Sequence, residues 1–165
     1  MGLSEDLERI ALQERELRLP ALDARGAWEL GVRLRAMAQE RELHVVIDVR
    51  RFGQPLFYAA MEGTTPDNAE WVRRKSNVVA RFHRSSYSVG LSLKAKKDTL
   101  LEKYGLALAD YAPHGGSFPL AVATAGVVGS VTVSGLPQRA DHELVVEALC
   151  IALGRDYAEL RLGAE

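Results

Sequence analysis

Cysteine is almost absent from this 165-residue sequence, which contains only Cys150. A single cysteine cannot form an intrachain disulfide, which excludes the small secreted domains that rely on disulfides for stability. Cys150 lies in an apolar run with helical spacing, so we expect a buried thiol. A chain of this length buries roughly two-thirds of its unfolded surface. The sequence therefore predicts one domain over residues 1–165, in a reducing, cytoplasmic setting.

An excess of either charge is also lacking, since the formal net charge is −1 and the isoelectric point is near 6.4. A nucleic-acid-binding domain needs a wide basic field, so no nucleic-acid partner is expected. The first ten residues lack the basic and apolar segments of an export signal. Residues 115–138 carry no charge, but Gly, Pro, Ser and Thr interrupt them. This pattern favours two strands of a hairpin over a membrane span.

Metal-site spacings are missing as well. The four histidines (His44, His83, His114 and His142) are isolated from one another, and no H-x₃-H or C-x₂-C pattern predicts a structural metal site. A single histidine bound to a macrocycle iron would leave no such pattern. The G-x-S-x-G nucleophile motif is absent too, which argues against an esterase despite the His-Gly-Gly sequence at residues 114–116.

What is present predicts an α+β fold built on antiparallel hairpins. We expect an N-terminal helix in residues 1–13, an edge strand at 16–19, and a helix from Asp23 to about residue 42. Hairpins are expected at residues 44–60 and 117–134, with a helix at 138–153 and a C-terminal tail at 154–165. The segment before residue 113 is weakly patterned. The second helix has this apolar stripe: Ala27, Leu30, Gly31, Leu34, Met37 and Ala38.

Residues 65–84 predict a well-capped helix that carries many cations. Thr65 precedes Pro66 and two acids, as is typical of a helix start. The stretch from residue 67 to residue 84 has five cations and two acids, so it carries +3 against −4 for the rest of the chain. Arg81 and Arg84 are expected to interact with the carboxyl end of the helix.

Arg73, Arg74 and Lys75 are in the middle of this helix, where the dipole does not explain them. One interpretation is a solvated basic face. Arg74 and Lys75, however, share the angular sector of the apolar stripe that begins at Trp71. We therefore expect them to meet an anion, a carboxylate of another element or a partner chain.

Two glycine-containing loops are further candidates for a site. Gly115 and Gly116 follow His114, a pattern that indicates a close backbone approach or a ligand contact. Ser134 and Gly135 precede a helix, in a turn that can present amide groups to an anion or can simply be a turn. Asp141 and His142 are adjacent on that helix and point about 100° apart, so they are not expected to form a relay. Asp141 is explained as a partner of the helix dipole.

Several short motifs lie along the chain at fixed spacings: Ile47-Asp48-Val49-Arg50, Gly63-Thr64-Thr65-Pro66-Asp67-Asn68, Trp71, Arg74-Lys75, Ser85-Ser86, His114-Gly115-Gly116, Phe118-Pro119, Val133-Ser134-Gly135-Leu136-Pro137 and Asp141-His142. With these motifs, residues 14–153 closely resemble uncharacterised protein family 0303, a branch of the haem-degrading-domain superfamily that includes glycolate-operon protein G and a secreted haem-binding sensor protein. The resemblance implies a profilin-like fold, with a five-stranded antiparallel sheet and helices on both faces, and assembly as homo-oligomers.

Two functional hypotheses follow. The first is a cytoplasmic, homo-oligomeric protein that binds an anionic small molecule, with haem or another tetrapyrrole as the candidate that the resemblance implies. Its site would contain Arg73, Arg74, Lys75, His114, Gly115, Gly116, Ser134 and Gly135. The second is an interaction protein whose basic helix and Trp71 face contact an identical chain or another protein. No catalytic residue is predicted; haem degradation is implied only by the resemblance.

Overall fold

The computed structural model of the chain describes residues 2–165. Seven helices and four strands follow one another in a mixed order. The helices are α1 (Leu3–Glu16), α2 (Ala24–Glu40), α3 (Pro66–Phe82), α4 (Ser86–Ala95), α5 (Leu100–Tyr104), α6 (Gln138–Leu153) and α7 (Tyr157–Leu160). The strands are β1 (Val46–Arg51), β2 (Gln54–Ala60), β3 (Ser117–Val122) and β4 (Gly126–Ser134). None of the helices within residues 2–165 is long and apolar enough to cross a membrane.

The capping residues predicted from the sequence begin the two central helices. The Asp23 carboxylate accepts a hydrogen bond from the Gly26 amide at 2.7 Å, at the start of α2. Thr65 and Asn68 form a capping box at the start of α3. Because these side chains satisfy amides that have no partner within the helix, both starts are well defined.

The sheet is antiparallel, with the strand order β2-β1-β4-β3. The β1–β2 hairpin turns at Phe52 and Gly53, whose φ angles are +50° and +77°. Two left-handed residues match the twist of the flanking strands, as in a type I′ turn. Both predicted hairpins are therefore confirmed. They are joined into one sheet because every residue of β1 pairs with β4.

The predicted fifth strand is wrong. Residues up to Glu16 belong to α1, and only Leu19 reaches the sheet, as an isolated parallel bridge to Val122. The Leu19 amide donates to Ala121 and the Leu19 carbonyl accepts from Ala123. Pro20 lies in a bend, and the pairing does not extend beyond Leu19.

One face of the sheet forms the main hydrophobic core with α2 and α6. Its strand residues include Ile47, Val49, Phe118, Val131 and Val133. The predicted apolar stripe of α2 is confirmed, since all six of its residues are buried. Gly31 allows close packing of α2 on the sheet, because a Cβ there would overlap the Phe57 ring.

The opposite face of the sheet is polar, and α3 covers it. Arg50 and Ser130 face Ser76 and Asn77 of α3 across a small cavity. Beneath α3, the Arg50 guanidinium donates to both oxygens of the fully buried Asp48 carboxylate, at 2.7 and 2.9 Å. Buried charges need such pairing. The Ile47-Asp48-Val49-Arg50 segment therefore supplies core residues to one face and an ion pair to the other.

Two helices occupy the segment that seemed weakly patterned. In α4, apolar and hydroxyl side chains are buried together: Ser86, Tyr87, Ser88, Val89, Leu91 and Leu93. A helix that buries serines as well as leucines has no amphipathic stripe, which is why periodicity did not identify it. In α5 there are only five residues. The predicted tail likewise contains α7 and two buried leucines, Leu160 and Leu162.

Candidate functional site

A cleft of about 420 Å³ lies between the start of α3, the loop before β3 and the β4–α6 turn. Four of the predicted site residues line it: Lys75, His114, Ser134 and Gly135. Its other lining residues are Asn68, Trp71, Leu136, Gln138 and Asp141. Segments far apart in sequence thus meet at one place because β4 ends where α3 crosses the sheet.

The centre of the cleft is a buried ion pair. Lys75 Nζ lies 2.9 Å from Asp141 Oδ2 and 3.4 Å from the Val133 carbonyl oxygen. Only 5% of the Lys75 side chain and 1% of the Asp141 side chain are exposed. Lys75 was expected to meet an anion, a carboxylate of another element or a partner chain. It contacts a carboxylate of another element, Asp141 of α6.

Burial governs the protonation of this pair. It lowers the pKa of Lys75 and raises the pKa of Asp141, because a dry environment disfavours both charges. The attraction between the two groups opposes each shift and is the smaller effect. The pair is thus closer to exchanging its proton than the same groups in water would be.

The Ser134–Gly135 turn does present amides to an anion, and that anion is Asp141. The Leu136 amide donates to Asp141 Oδ1 at 2.9 Å, and the Gly135 amide donates to Oδ2 at 3.4 Å. The interpretation of Asp141 as a mere dipole partner is therefore wrong. Asp141 pairs with Lys75 while His142 contacts Gln13, so the two neighbours form no relay, as expected.

Gly115 and Gly116 permit a close approach of backbone segments. A Cβ on Gly116 would overlap the Val133 carbonyl oxygen and lie 2.8 Å from Lys75 Nζ, and its φ of +139° favours glycine. A Cβ on Gly115 would overlap the Gln138 carbonyl oxygen. The Gly115 amide donates to Gln138 Oε1 at 3.0 Å. These glycines bring the loop against Lys75 and the start of α6.

Trp71 and His114 line the cleft, and Arg74, which does not line it, contacts Trp71. The Arg74 guanidinium carbon lies 4.6 Å from the centre of the Trp71 ring, and the His114 ring meets that ring edge-on at 5.5 Å. Arg74 Nε donates to the Leu108 carbonyl at 2.7 Å. Among residues 2–165 these are its partners, and no carboxylate pairs with it.

His114 Nδ1 is buried and has no hydrogen-bond partner within residues 2–165. Burial lowers the pKa of His114, and the nearby Lys75 and Arg74 lower it further. The imidazole is therefore neutral at pH 7, with a lone pair on one of its nitrogens.

Arg73 lies outside the cleft. Its guanidinium pairs with Glu70 at 2.6 Å and with Asp110 at 3.1 Å. The cations of α3 thus differ in their partners: carboxylates from other elements meet Arg73 and Lys75, while Arg74 has none. Arg84 was expected to serve the end of α3, but it follows the terminal His83 and donates to Ser88 and Ser92.

An apolar groove of about 820 Å³ adjoins the cleft, and His114 and Gln138 line both. Leucines from α4, α5 and the segment after α5 make up much of its wall: Leu91, Leu93, Leu100, Leu101 and Leu108. Sequence reasoning did not find this groove, because the helices that form it lack a clear pattern. It also missed Asn68, Gln138 and Asp141 as cleft residues.

Comparison with known proteins identifies the family. Residues 22–150 match the family model described as haem degrading protein HbpS-like. A UPF0303 protein of Burkholderia ambifaria is 59% identical over 162 residues, which cover 98% of both chains.

Solved structures share the fold. The crystal structure of the Ybr137w protein has a TM-score of 0.84 at 27% identity, over 92% of this chain and 93% of that one. A crystal structure titled as a PduOC:heme complex has a TM-score of 0.65 at 16% identity, over 80% and 94%. The chain therefore belongs to the HbpS-like family and to the UPF0303 proteins.

Proposed function

We propose that this protein binds an anionic small molecule at the cleft and the adjoining groove, and that the ligand is haem. The observation that carries the proposal is the position of His114. Its ring has a buried nitrogen without a partner within residues 2–165, and it lines both the polar cleft and the apolar groove. It also contacts Trp71, the cleft residue against which the uncompensated Arg74 guanidinium lies. A ligand with an apolar body and an anionic edge matches that combination.

The residues present fit haem. A neutral imidazole is a common protein ligand of haem iron, and His114 is kept neutral by its lowered pKa. The groove has the volume and the leucine-rich wall that suit an apolar macrocycle. Bound haem would supply an iron centre for ligand or redox chemistry. Support also comes from the family description and from the fold neighbour whose title names heme.

Arg74 is the proposed anchor for the propionates. Its guanidinium carbon lies 4.6 Å from the centre of the Trp71 ring, and of its N–H groups only Nε donates to the protein within residues 2–165. The remaining N–H groups match the bidentate geometry of a carboxylate. Lys75 is a poorer anchor because Asp141 already neutralises it.

Absorption titration with haemin tests the proposal. The wild-type protein should give a sharp Soret band, and His114→Ala should lose it or shift it because the iron ligand is gone. Arg74→Leu should weaken haemin binding by about tenfold or more, as expected for loss of a charge-assisted contact. Arg73→Leu is the matched control on the same helix and should bind as the wild type does. A broad spectrum that is identical in all four proteins would contradict the proposal.

Self-association is a second part of the proposal, and an observation of its own favours it. Strand β2 is at the edge of the sheet. Near it, 56% of Trp28 and 50% of Tyr58 are exposed. An edge strand beside exposed aromatics is a surface on which a second copy can pair. Light scattering should show a homo-oligomer that Tyr58→Lys dissociates; a monomeric wild-type protein would contradict it.

A further inference from the structure

Lys75 differs from every other lysine of the chain. The sequence has five lysines, and the other four (Lys94, Lys96, Lys97 and Lys103) are exposed on and after α4. Lys75 is buried, yet its side chain lines the 420 Å³ cleft. A primary amine at the wall of a cleft, held 2.9 Å from a carboxylate, is an arrangement suited to covalent chemistry with a carbonyl group.

We propose that Lys75 forms a Schiff base with a small aldehyde that carries a carboxylate, and that Asp141 accepts and returns the protons. The inference uses the same cleft as the proposed function, but it does not require haem. The aldehyde carbon would meet Nζ, and its carboxylate would reach toward Arg74, which lies against the cleft residue Trp71. Trp71, 5.9 Å from Nζ and 4.6 Å from the Arg74 guanidinium carbon, lies near both groups.

The reaction is balanced without any further reactant. The Lys75 ammonium first gives its proton to Asp141. The amine lone pair then forms a bond to the carbonyl carbon, while the carbonyl oxygen takes the proton back from Asp141 and becomes a hydroxyl. The Asp141 carboxylate removes a second proton from the nitrogen of this carbinolamine and gives it to the hydroxyl, which leaves as water while the nitrogen lone pair forms the C=N bond. The Lys75 ammonium and one aldehyde thus yield one protonated imine and one water.

Geometry makes Asp141 suitable for this role. Its two oxygens are held by the Gly135 and Leu136 amides as well as by Lys75, so the carboxylate stays in place when the proton moves. Burial also favours the neutral amine over the ammonium and the carboxylic acid over the carboxylate.

Reductive trapping in the full-length wild-type protein is the test. We would treat it at pH 7 with 4-carboxybenzaldehyde or benzaldehyde and sodium cyanoborohydride, and map the modified lysines by peptide mass spectrometry. Lys75 should be modified about tenfold faster than any of the four exposed lysines, because the cleft holds the aldehyde beside an amine whose pKa burial lowers. The carboxylated aldehyde should react faster at Lys75 than benzaldehyde does. Modification of Lys75 no faster than of the exposed lysines overturns the inference.

Two variants separate this inference from the proposed function. Asp141→Asn should slow the modification of Lys75 and leave that of Lys94 unchanged; equal rates at Lys75 would remove Asp141 from the mechanism. If this variant does not fold, the wild-type map decides alone. Arg74→Gln should abolish the preference for the carboxylated aldehyde. Haemin binding is measured separately, so a protein that binds haemin without modification of Lys75 refutes only the Schiff base.

Discussion

At the scale of single residues, the Lys75–Asp141 pair determines what a substitution in the cleft does. Both side chains are almost fully buried and each is the main partner of the other. Replacing one of the two residues leaves the other as a buried charge without a partner. This destabilises the fold more than replacing both residues by apolar ones does. A Lys75 variant that loses ligand binding would therefore report on the fold as well as on the ligand. Arg74 is the cleaner position for testing anion binding.

Lys75→Met and Asp141→Asn should each lower the free energy of unfolding by about 3–5 kcal/mol, as for other broken buried pairs. The double variant should lose less than the sum, because neither charge is then left alone. Urea unfolding followed by circular dichroism measures all three. Arg73→Met is the control, since its partners Glu70 and Asp110 are exposed, and its midpoint should stay close to that of the wild type. Strict additivity in the double variant would contradict the coupling.

His142 is a second buried titratable residue, and it should make stability depend on pH. Its Nε2 donates to Gln13 Oε1 at 2.8 Å, and its Nδ1 has no partner within residues 2–165. Burial and, as a smaller cause, Arg139 lower the pKa of His142 to about 3, while Asp6 opposes the shift. The folded protein therefore binds the proton less readily than the unfolded chain, whose histidine has a pKa near 6.5.

This difference in pKa determines how the stability of the folded protein changes with pH. The contribution of neutral His142 is complete above pH 6.5 and is lost as the pH falls towards 3, at about 1.4 kcal/mol per pH unit. Between pH 7 and pH 5 the wild type should lose about 2 kcal/mol more than His142→Gln, which keeps a donor for Gln13. The raised pKa values of Glu14, Asp141 and Glu143 act in the opposite sense but are common to both proteins. Parallel urea-unfolding curves against pH would contradict this account.

The roles of some of these residues could be predicted from the sequence, and the roles of others could not. Lys75 was expected to need an anion or a carboxylate because its helical position shares a sector with apolar residues, and it has one. Asp141 was misassigned because an acid in the first turn of a helix has a sufficient local explanation. Its role depends on the crossing of α3 over the end of β4, a contact between residues that are 66 positions apart. Local patterns do not encode such a contact.

At the scale of elements, capping residues and amphipathic spacing correctly predicted the helices that have one polar face. The bounds of α6 agree with the predicted residues 138–153, and α2 and α3 begin at the predicted caps. Amphipathic spacing did not identify α4, which is buried on most sides, and the predicted edge strand is only a single bridge at Leu19. These failures hid the apolar groove, because α4 and α5 build its wall.

The packing of α2 on the sheet gives a prediction at this scale. Gly31→Ala should destabilise the protein by about 1–3 kcal/mol through overpacking, although alanine is the better helix former by about 1 kcal/mol. The new methyl group would overlap the Phe57 ring. Thermal unfolding measures the effect, and Phe57→Leu added to Gly31→Ala should recover part of it. Val32→Ala, an exposed neighbour, is the control. Equal or higher stability of Gly31→Ala would show that α2 can move away from the sheet at little cost.

At the scale of the whole molecule, the near-zero net charge conceals an uneven distribution. The α3 segment carries +3, but Asp110 and Asp141 supply carboxylates from distant parts of the chain to Arg73 and Lys75. Arg74 has no carboxylate partner within residues 2–165 and lies against Trp71, a residue of the cleft. Of the three cations in the middle of α3, the fold thus leaves Arg74 without a compensating carboxylate. The sequence alone could indicate that helix but not which of its cations keeps a free charge.

Native mass spectrometry of the protein incubated with haemin tests this account most directly. We expect one haem retained per chain in the wild type and in Arg73→Leu, and little or none in Arg74→Leu or His114→Ala. Arg73→Leu and Arg74→Leu remove the same charge from neighbouring positions of α3, but Arg74 contacts the cleft residue Trp71 while Arg73 pairs with exposed carboxylates. Failure of the wild type to retain haem, or equal retention by all four proteins, would contradict the assignment of the junction of cleft and groove as the binding site.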